Sequence, residues 1–270
     1  MALKNRFAGH TNSYHTYGLE AALEGIAAAG YRFVELTAVR GWTEHVPLDA
    51  DARSLGKIQR MLNQLALIPV SLSGHSDLTT KDGLEDGLLA LDLCERMGID
   101  LMNTAIGGHS SHDEDGDAFM SNIGVLADAA AARNIMLGIE IHGDITSSGK
   151  KAIPLIQKIN HPNVRINYDT ANIEFYDKGT KAEDDLAETV PYLVHAHFKD
   201  HIGGARQWNF PAPGEGEINF ARLLDILDKG GYTGPISVEI EFAEGPWPPL
   251  AEVNRAMHSA YQHLTSLGLS

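Results

Sequence analysis

The stretch IMLGIEIHGDITSSGKKAIPLIQKINHPNVRINYDTAN, residues 135–172, decides the fold. It opens on IMLGIEIH (135–142), an apolar run short enough and rich enough in isoleucine to read as a buried strand. A polar Gly/Ser/Thr loop follows, and KAIPLIQKIN (151–160) reads as a short helix. VRINYDTAN (164–172) is a second strand. A strand, a helix and a strand in succession form a crossover unit, and repeated crossovers build a parallel sheet.

Outward from this unit the same alternation covers the chain. RFAGH (6–10), YRFVELTA (31–38), IPVSLSGH (68–75), DLMNTAIGG (100–108), LVHAHFKD (193–200) and PISVEIEF (235–242) read as further strands. Helices are expected at 19–30, 51–67, 84–98, 117–134, 182–192, 219–231 and 249–267. The last carries Leu250, Val253, Met257, Tyr261, Leu264 and Leu267 at helical spacing. Eight strands alternating with eight helices is the count of an α/β-class (β/α)8 TIM barrel. No linker or shift of composition divides the chain, so one domain over residues 1–270 is expected. A doubly wound open sheet would show a Gly-rich phosphate turn after its first strand, and AGHTNSYHTYG is not one.

Composition narrows the function. Acidic residues number 36 against 21 basic, a formal charge of −15. Nucleic-acid binding draws on basic patches, so this balance argues against a DNA or RNA partner. No window approaches eighteen consecutive apolar residues, so no membrane span is expected. MALKNRF lacks the apolar run of a signal peptide. The lone Cys94 excludes an intrachain disulfide and fits a reducing compartment, so a cytoplasmic protein is expected. A homo-oligomer or a partner subunit stays open.

In a barrel, active sites form at the C-terminal ends of the strands. Ten of the 13 histidines fall there: His10, His75, His142, His195 and His197 near strand ends, His15, His45, His109, His112 and His201 in the loops beyond. Carboxylates follow. Glu35, Glu140, Asp169, Glu239 and Glu241 all end strands. Residues two apart on a strand share a face, so in the pairs Glu140/His142, Asn167/Asp169, His195/His197 and Glu239/Glu241 one member can look into the mouth while the other sits deeper or higher, and His195 and His197 look inward together. Several ionised carboxylates converging on one rim repel one another unless a cation sits among them. Three carboxylates and an imidazole suit a divalent ion, with Mn²⁺ first and Mg²⁺, Co²⁺ or Zn²⁺ as alternatives.

At these residues the chain resembles the xylose isomerase-like TIM barrel superfamily, which holds sugar isomerases, epimerases and the class II AP endonucleases. The resemblance runs through GIEIH, NYDTAN, HAHFKD, PGEGEINF (213–220) and GYTGPISVEIE, in that order and over nearly the whole chain. It implies metal ligands at Glu140, Asp169, His197 and Glu239. His197 is selected over His195 because it stands three before Asp200, and Glu239 over Glu241 by its distance from Gly-Pro. Two departures argue against an AP endonuclease: Asp169-Thr-Ala-Asn172 replaces Asp-x-x-His, and His195-x-His197 replaces Asp-x-His.

The resemblance implies a small-molecule ketose or keto-sugar substrate and isomerase or epimerase chemistry through an enediolate. Glu140 and Glu239 would move the proton, with His142 and Lys199 as further catalytic groups. His75, Asn172, His195, Arg206, Trp42 and His45 are expected on the substrate, with Trp208 closing the far side. The alternatives are a metal-dependent lyase or dehydratase acting on a keto-sugar, keto-inositol or 3-keto-glycoside, and a sugar-binding barrel without catalysis.

Overall fold

The computed structural model describes residues 5–107, 116–143 and 145–269. His109, His112 and the expected strand end at Gly108 lie outside them. Eight parallel strands close a barrel: β1 (Phe7–His10), β2 (Phe33–Thr37), β3 (Ile68–Ser73), β4 (Leu101–Thr104), β5 (Met136–Glu140), β6 (Val164–Asp169), β7 (Leu193–Phe198) and β9 (Ile236–Val238). The remaining strands, β8 (Asn209–Phe210) and β10 (Phe242–Ala243), pair antiparallel as a small ribbon above the rim.

The helices are α1 (Leu19–Ala29), α2 (Ala52–Gln64), α3 (Lys81–Met97), α4 (Gly116–Ala131), α5 (Gly149–Ile159), α6 (Thr170–Tyr176), α7 (Ala182–Thr189), α8 (Phe220–Lys229) and α9 (Leu250–Ser266). They turn apolar stripes inward: Leu23 and Ile26, Leu62, Leu91, Leu126, Leu227 and Met257 are all buried between helices and barrel. Their starts follow capping chemistry. Asp51, Thr80, Ser148 and Asn219 each accept a backbone N–H of the first turn. Thr80 starts α3 three residues before the expected 84. Among the described residues no helix is long and apolar enough to cross a membrane.

Two strand expectations need correction, and both bear on the site. The strand expected at 164–172 stops at Asp169, and the chain turns at once into α6. Asp169 causes this: its Oδ1 accepts from the N–H groups of Ala171 (2.9 Å) and Asn172 (2.8 Å), which caps a new helix. The strand expected at 235–242 leaves the barrel after Val238 and re-forms at Phe242, where φ is +61°, as part of the ribbon.

The barrel interior is polar. Ser71, Asn103, Asn167, His195 and Ser237 point inward and are fully buried. Gly138 permits this layer, because a Cβ there would overlap the Asn103 side-chain oxygen. A bulge opposes Val194 to no residue of β6: Ile166 pairs with Leu193, but Asn167 pairs with His195. Bulges re-aim side chains, and this one sets the inward phase of His195 and His197.

Asp200, just past β7, holds the following loop. Its buried carboxylate accepts from the backbone N–H groups of His201 (2.9 Å), Gly214 (2.9 Å), Gly216 (2.8 Å) and Ile218 (3.1 Å). Gly216 must be glycine, since a Cβ would strike that carboxylate. Asp200→Ala would orphan these donors, so we expect a loss of about 3 kcal/mol, read as a lower Tm and urea midpoint. Unchanged stability would show that the loop is held otherwise.

Candidate active site

Four side chains meet at the C-terminal mouth of the barrel. Glu140 ends β5, Asp169 ends β6, His197 is next to last in β7, and Glu239 directly follows β9. Parallel register sets them level, with Asp169 opposite His197 and Glu140 opposite Asn167. One donor atom from each lies within 4.8 Å of all the others. His197 Nδ1 faces the group, 3.2 Å from Glu140 Oε2, 3.7 Å from Glu239 Oε2 and 3.9 Å from Asp169 Oδ2. All four residues are buried.

Those donors fit a divalent cation. Their spread matches one ion's coordination sphere, and three carboxylates with one imidazole are hard-to-borderline donors. A second sign is Asp169 Oδ2, which is buried and accepts no hydrogen bond among the described residues. Oδ1 caps α6, so the residue is oriented by one oxygen and offers the other.

Electrostatics points the same way. Burial and the neighbouring Glu140 and Glu239 outweigh Lys199 and push the Asp169 carboxyl up to about 7. Burial raises Glu241 as well, with Glu239 adding to it against Lys199. Burial works against ionised Glu140 too, yet His75 and His197 hold it well below the usual carboxylate range. Glu239 is likewise held low against burial by Lys199, His10 and His197. For His197 the carboxylates of Glu35 and Glu140 outweigh burial and raise its proton affinity. The mouth thus carries more acid than its own cations balance.

Each acid is braced. Glu140 Oε2 meets His75 Nε2 (3.0 Å) and accepts from Asn167 Nδ2 (2.9 Å); Oε1 accepts from Asn172 Nδ2 (3.3 Å). Glu239 Oε1 accepts from Asn12 Nδ2 (2.9 Å) and meets His10 Nδ1 (3.1 Å). Lys199 is not at the surface. It is buried over the Phe210 ring (4.5 Å), with Nζ 2.5 Å from Glu241, 3.3 Å from Glu239 and 3.7 Å from Asp169. Glu239, Glu241 and Asp169 overcome burial and keep its ammonium charged.

Above the acids opens a cavity of about 400 Å³, within the range of small-molecule sites. Glu140, Glu239, Lys199, His75, His142, Asn172 and Trp42 line it, and so does Trp208. Trp42 is 46% exposed yet held: its Nε1 donates to Asn12 Oδ1 (3.0 Å) and its ring stacks on His15 at 3.8 Å. His142 Nε2 sits 3.2 Å from the Tyr176 hydroxyl.

Three residues expected on the substrate are placed elsewhere. His195 is fully buried beneath the acids, its Nδ1 2.9 Å from Asn167 Oδ1 and its Nε2 3.0 Å from Ser237 Oγ. Strand alternation puts it inward, but two residues deeper than His197, and burial lowers its pKa to about 3. His45 turns to the Tyr17 carbonyl at 2.9 Å. Arg206, with φ +66°, lays its exposed guanidinium over the Tyr176 ring (4.9 Å). None of the three is among the described residues lining the cavity.

Asn12, His10, Tyr176 and Glu241 complete the mouth, and none was assigned a role from sequence. His10 and Glu241 were visible as strand-end residues. Asn12 had no signal, because it sits in a 3-10 turn (Thr11–Tyr14) and acts through contacts to Glu239 and Glu241, far away in the chain.

A family model described as xylose isomerase-like TIM barrel matches residues 23–261. An L-ribulose-5-phosphate 3-epimerase of Salmonella paratyphi B is 27% identical over 202 residues, 73% of this chain and 69% of the relative. A crystal structure of D-allulose 3-epimerase from Methylomonas sp. superposes with a TM-score of 0.77 at 19% identity, covering 99% of this chain and 100% of the other. A xylose isomerase-like TIM barrel protein from Mycobacterium smegmatis, solved in complex with magnesium, gives 0.78 at 16% identity, covering 97% of both chains.

A divalent cation entering this site would compete with the proton that burial favours on Asp169, whose carboxyl is pushed up to about 7. Affinity for Mn²⁺ is therefore expected to rise with pH and to weaken by about tenfold for each pH unit below about 7, per displaced proton. Titration calorimetry in buffers of different ionisation enthalpy measures both affinity and proton release. Affinity that stays flat between about pH 5.5 and 8 would contradict this electrostatic account.

Proposed function

Because the chain belongs to the xylose isomerase-like TIM barrel family, we propose that it isomerises or epimerises a keto-sugar with the help of one divalent cation. One observation carries this reading. Glu140 and Glu239 approach the same small volume from β5 and β9, with Asp169 and His197 between them in barrel order. Two relatives that are 3-epimerases by name support it.

Glu140, Asp169, His197 and Glu239 would hold the cation, which when bound supplies Lewis-acid polarisation of a carbonyl and its neighbouring hydroxyl. The carbon–hydrogen bond beside that carbonyl then lies within the power of a carboxylate base. One of Glu140 and Glu239, ionised, removes the proton and keeps it; the other, having taken up a proton from solvent, delivers that proton to the opposite face, which inverts the carbon. Return to the adjacent carbon gives the isomer.

The remaining residues prepare the two acids. His75, Asn167 and Asn172 fix Glu140, while Asn12 and His10 fix Glu239, so neither loses its orientation between the half-reactions. Lys199 keeps its charge beside Glu239 and steadies negative charge developing on a substrate oxygen. An ammonium held this firmly is a weak proton donor to a leaving group, which weighs against the lyase reading. Trp42, Tyr176 and Trp208 offer apolar walls to the sugar's C–H faces and exclude water. Cys94, buried in α3, suits a reducing compartment, and we place the protein in the cytoplasm.

The test is solvent exchange. Mn²⁺-loaded protein in D₂O, given D-allulose, D-fructose and L-ribulose with and without a terminal phosphate, should place deuterium beside the carbonyl without loss of water. Dehydrated product would move the assignment to a lyase, and no exchange with any sugar would leave only binding. Glu140→Gln and Glu239→Gln should each lower turnover by about 10²- to 10⁴-fold. Full activity in either would remove it from the proton path.

A further inference from the structure

Beneath the four donors lies a carboxylate that neither lines the cavity nor is one of the four. Glu35, in β2, is fully buried and is not among the residues lining the cavity. Its Oε2 lies 3.0 Å from His197 Nε2. Its Oε1 accepts from Asn103 Nδ2 at 2.7 Å, so the carboxylate cannot swing away without breaking a second bond.

The two nitrogens of His197 therefore face different partners. Nδ1 points at Glu140, Asp169 and Glu239; Nε2 points at Glu35. A neutral imidazole carries one N–H and one lone pair, and an ionised carboxylate can only accept. With Glu35 as acceptor the proton belongs on Nε2, which leaves the Nδ1 lone pair to the cluster.

We propose that Glu35 is a positioning residue that locks His197 in the Nε2–H tautomer and so presents Nδ1 to a cation. The proposal rests on the cation-site reading above. Glu35 Oε2 also lies 3.4 Å from His195 Nε2, but of its two imidazole partners only His197 belongs to the donor group, and Glu35 touches no reacting atom. Its place on β2, opposite His10 of β1, makes half of the barrel a support for a ligand carried by β7. A carboxylate behind a ligating imidazole fixes ring orientation and raises donor strength, and losing one weakens ion binding by about 10- to 100-fold.

Three measurements test this. Glu35→Gln keeps the shape but can donate as well as accept, so Mn²⁺ affinity by calorimetry should fall about 10- to 100-fold while the far-ultraviolet dichroism is kept. Glu35→Asp should recover part of that loss. In histidine-labelled wild-type protein loaded with Zn²⁺, long-range ¹H–¹⁵N spectra should show His197 protonated at Nε2 and not at Nδ1. Wild-type affinity in Glu35→Gln, or a proton on Nδ1 of the ion-loaded wild type, overturns the role of Glu35 and leaves the cation site standing. Wild-type protein that binds no divalent ion overturns both. The spectra need no variant, so the proposal stays open to refutation if the substitutions prevent folding.

Discussion

The carboxylates of Glu35, Glu140, Asp169, Glu239 and Glu241 share one end of a closed barrel, away from bulk water. That constraint governs the rest of the structure. An unpaired buried carboxylate is costly, and each added neighbour of like charge raises the cost. The chain meets it by giving four of these five acids fixed side-chain partners. Glu35 is held by Asn103 and His197, Glu140 by His75 and two asparagines, Glu239 by Asn12, His10 and Lys199, and Glu241 by Lys199. Asp169 is the exception: one oxygen caps α6, and the other accepts no hydrogen bond among the described residues, with the Lys199 ammonium 3.7 Å away. The unsatisfied remainder falls at the centre of the donor cluster.

Barrel geometry turns that charge problem into a site. Side chains two apart on each strand stack as layers, so the acid layer at the mouth rests on a polar layer of Ser71, Asn103, Asn167, His195 and Ser237. An apolar plug there would leave His195 and Glu35 unpaired. The polar layer lets both stay, and it braces the donors from below. Gly138 gives the asparagines room, and the bulge at Val194 sets the phase of β7. Aromatic walls supply the complementary apolar surface above. Trp42, pinned by Asn12 and stacked on His15, ties that wall to the same asparagine that holds Glu239.

Legibility in the sequence followed range of interaction. Strands and helices alternate with local periods, so the barrel could be read directly, and the strand-end acids and histidines stood out by position. Errors arose where one side chain overrode the local pattern. NYDTAN reads as strand throughout, but Asp169 caps a helix at its own position and ends the strand. EIEF continues the alternation of β9, yet pairing of Phe242 with Phe210 pulls it into a ribbon. His195 shared the inward phase of His197 and was expected at the cavity. Depth along the barrel axis separates them, and period-two patterning is blind to depth.

The sequence by itself determined the α/β alternation, the rim where polar residues gather, and the set of donors able to meet there. Periodicity and residue type are written in the local order of the chain. Tertiary structure alone decided which acid is braced by which base, that Lys199 is buried among Glu239, Glu241 and Asp169, and that Glu35 stands behind His197. Those pairings join residues 30 to more than 200 positions apart, such as Lys199 with Asp169 and Asn12 with Glu239. They exist only because closing the barrel sets β1 beside β9, so that the two ends of the chain share one layer.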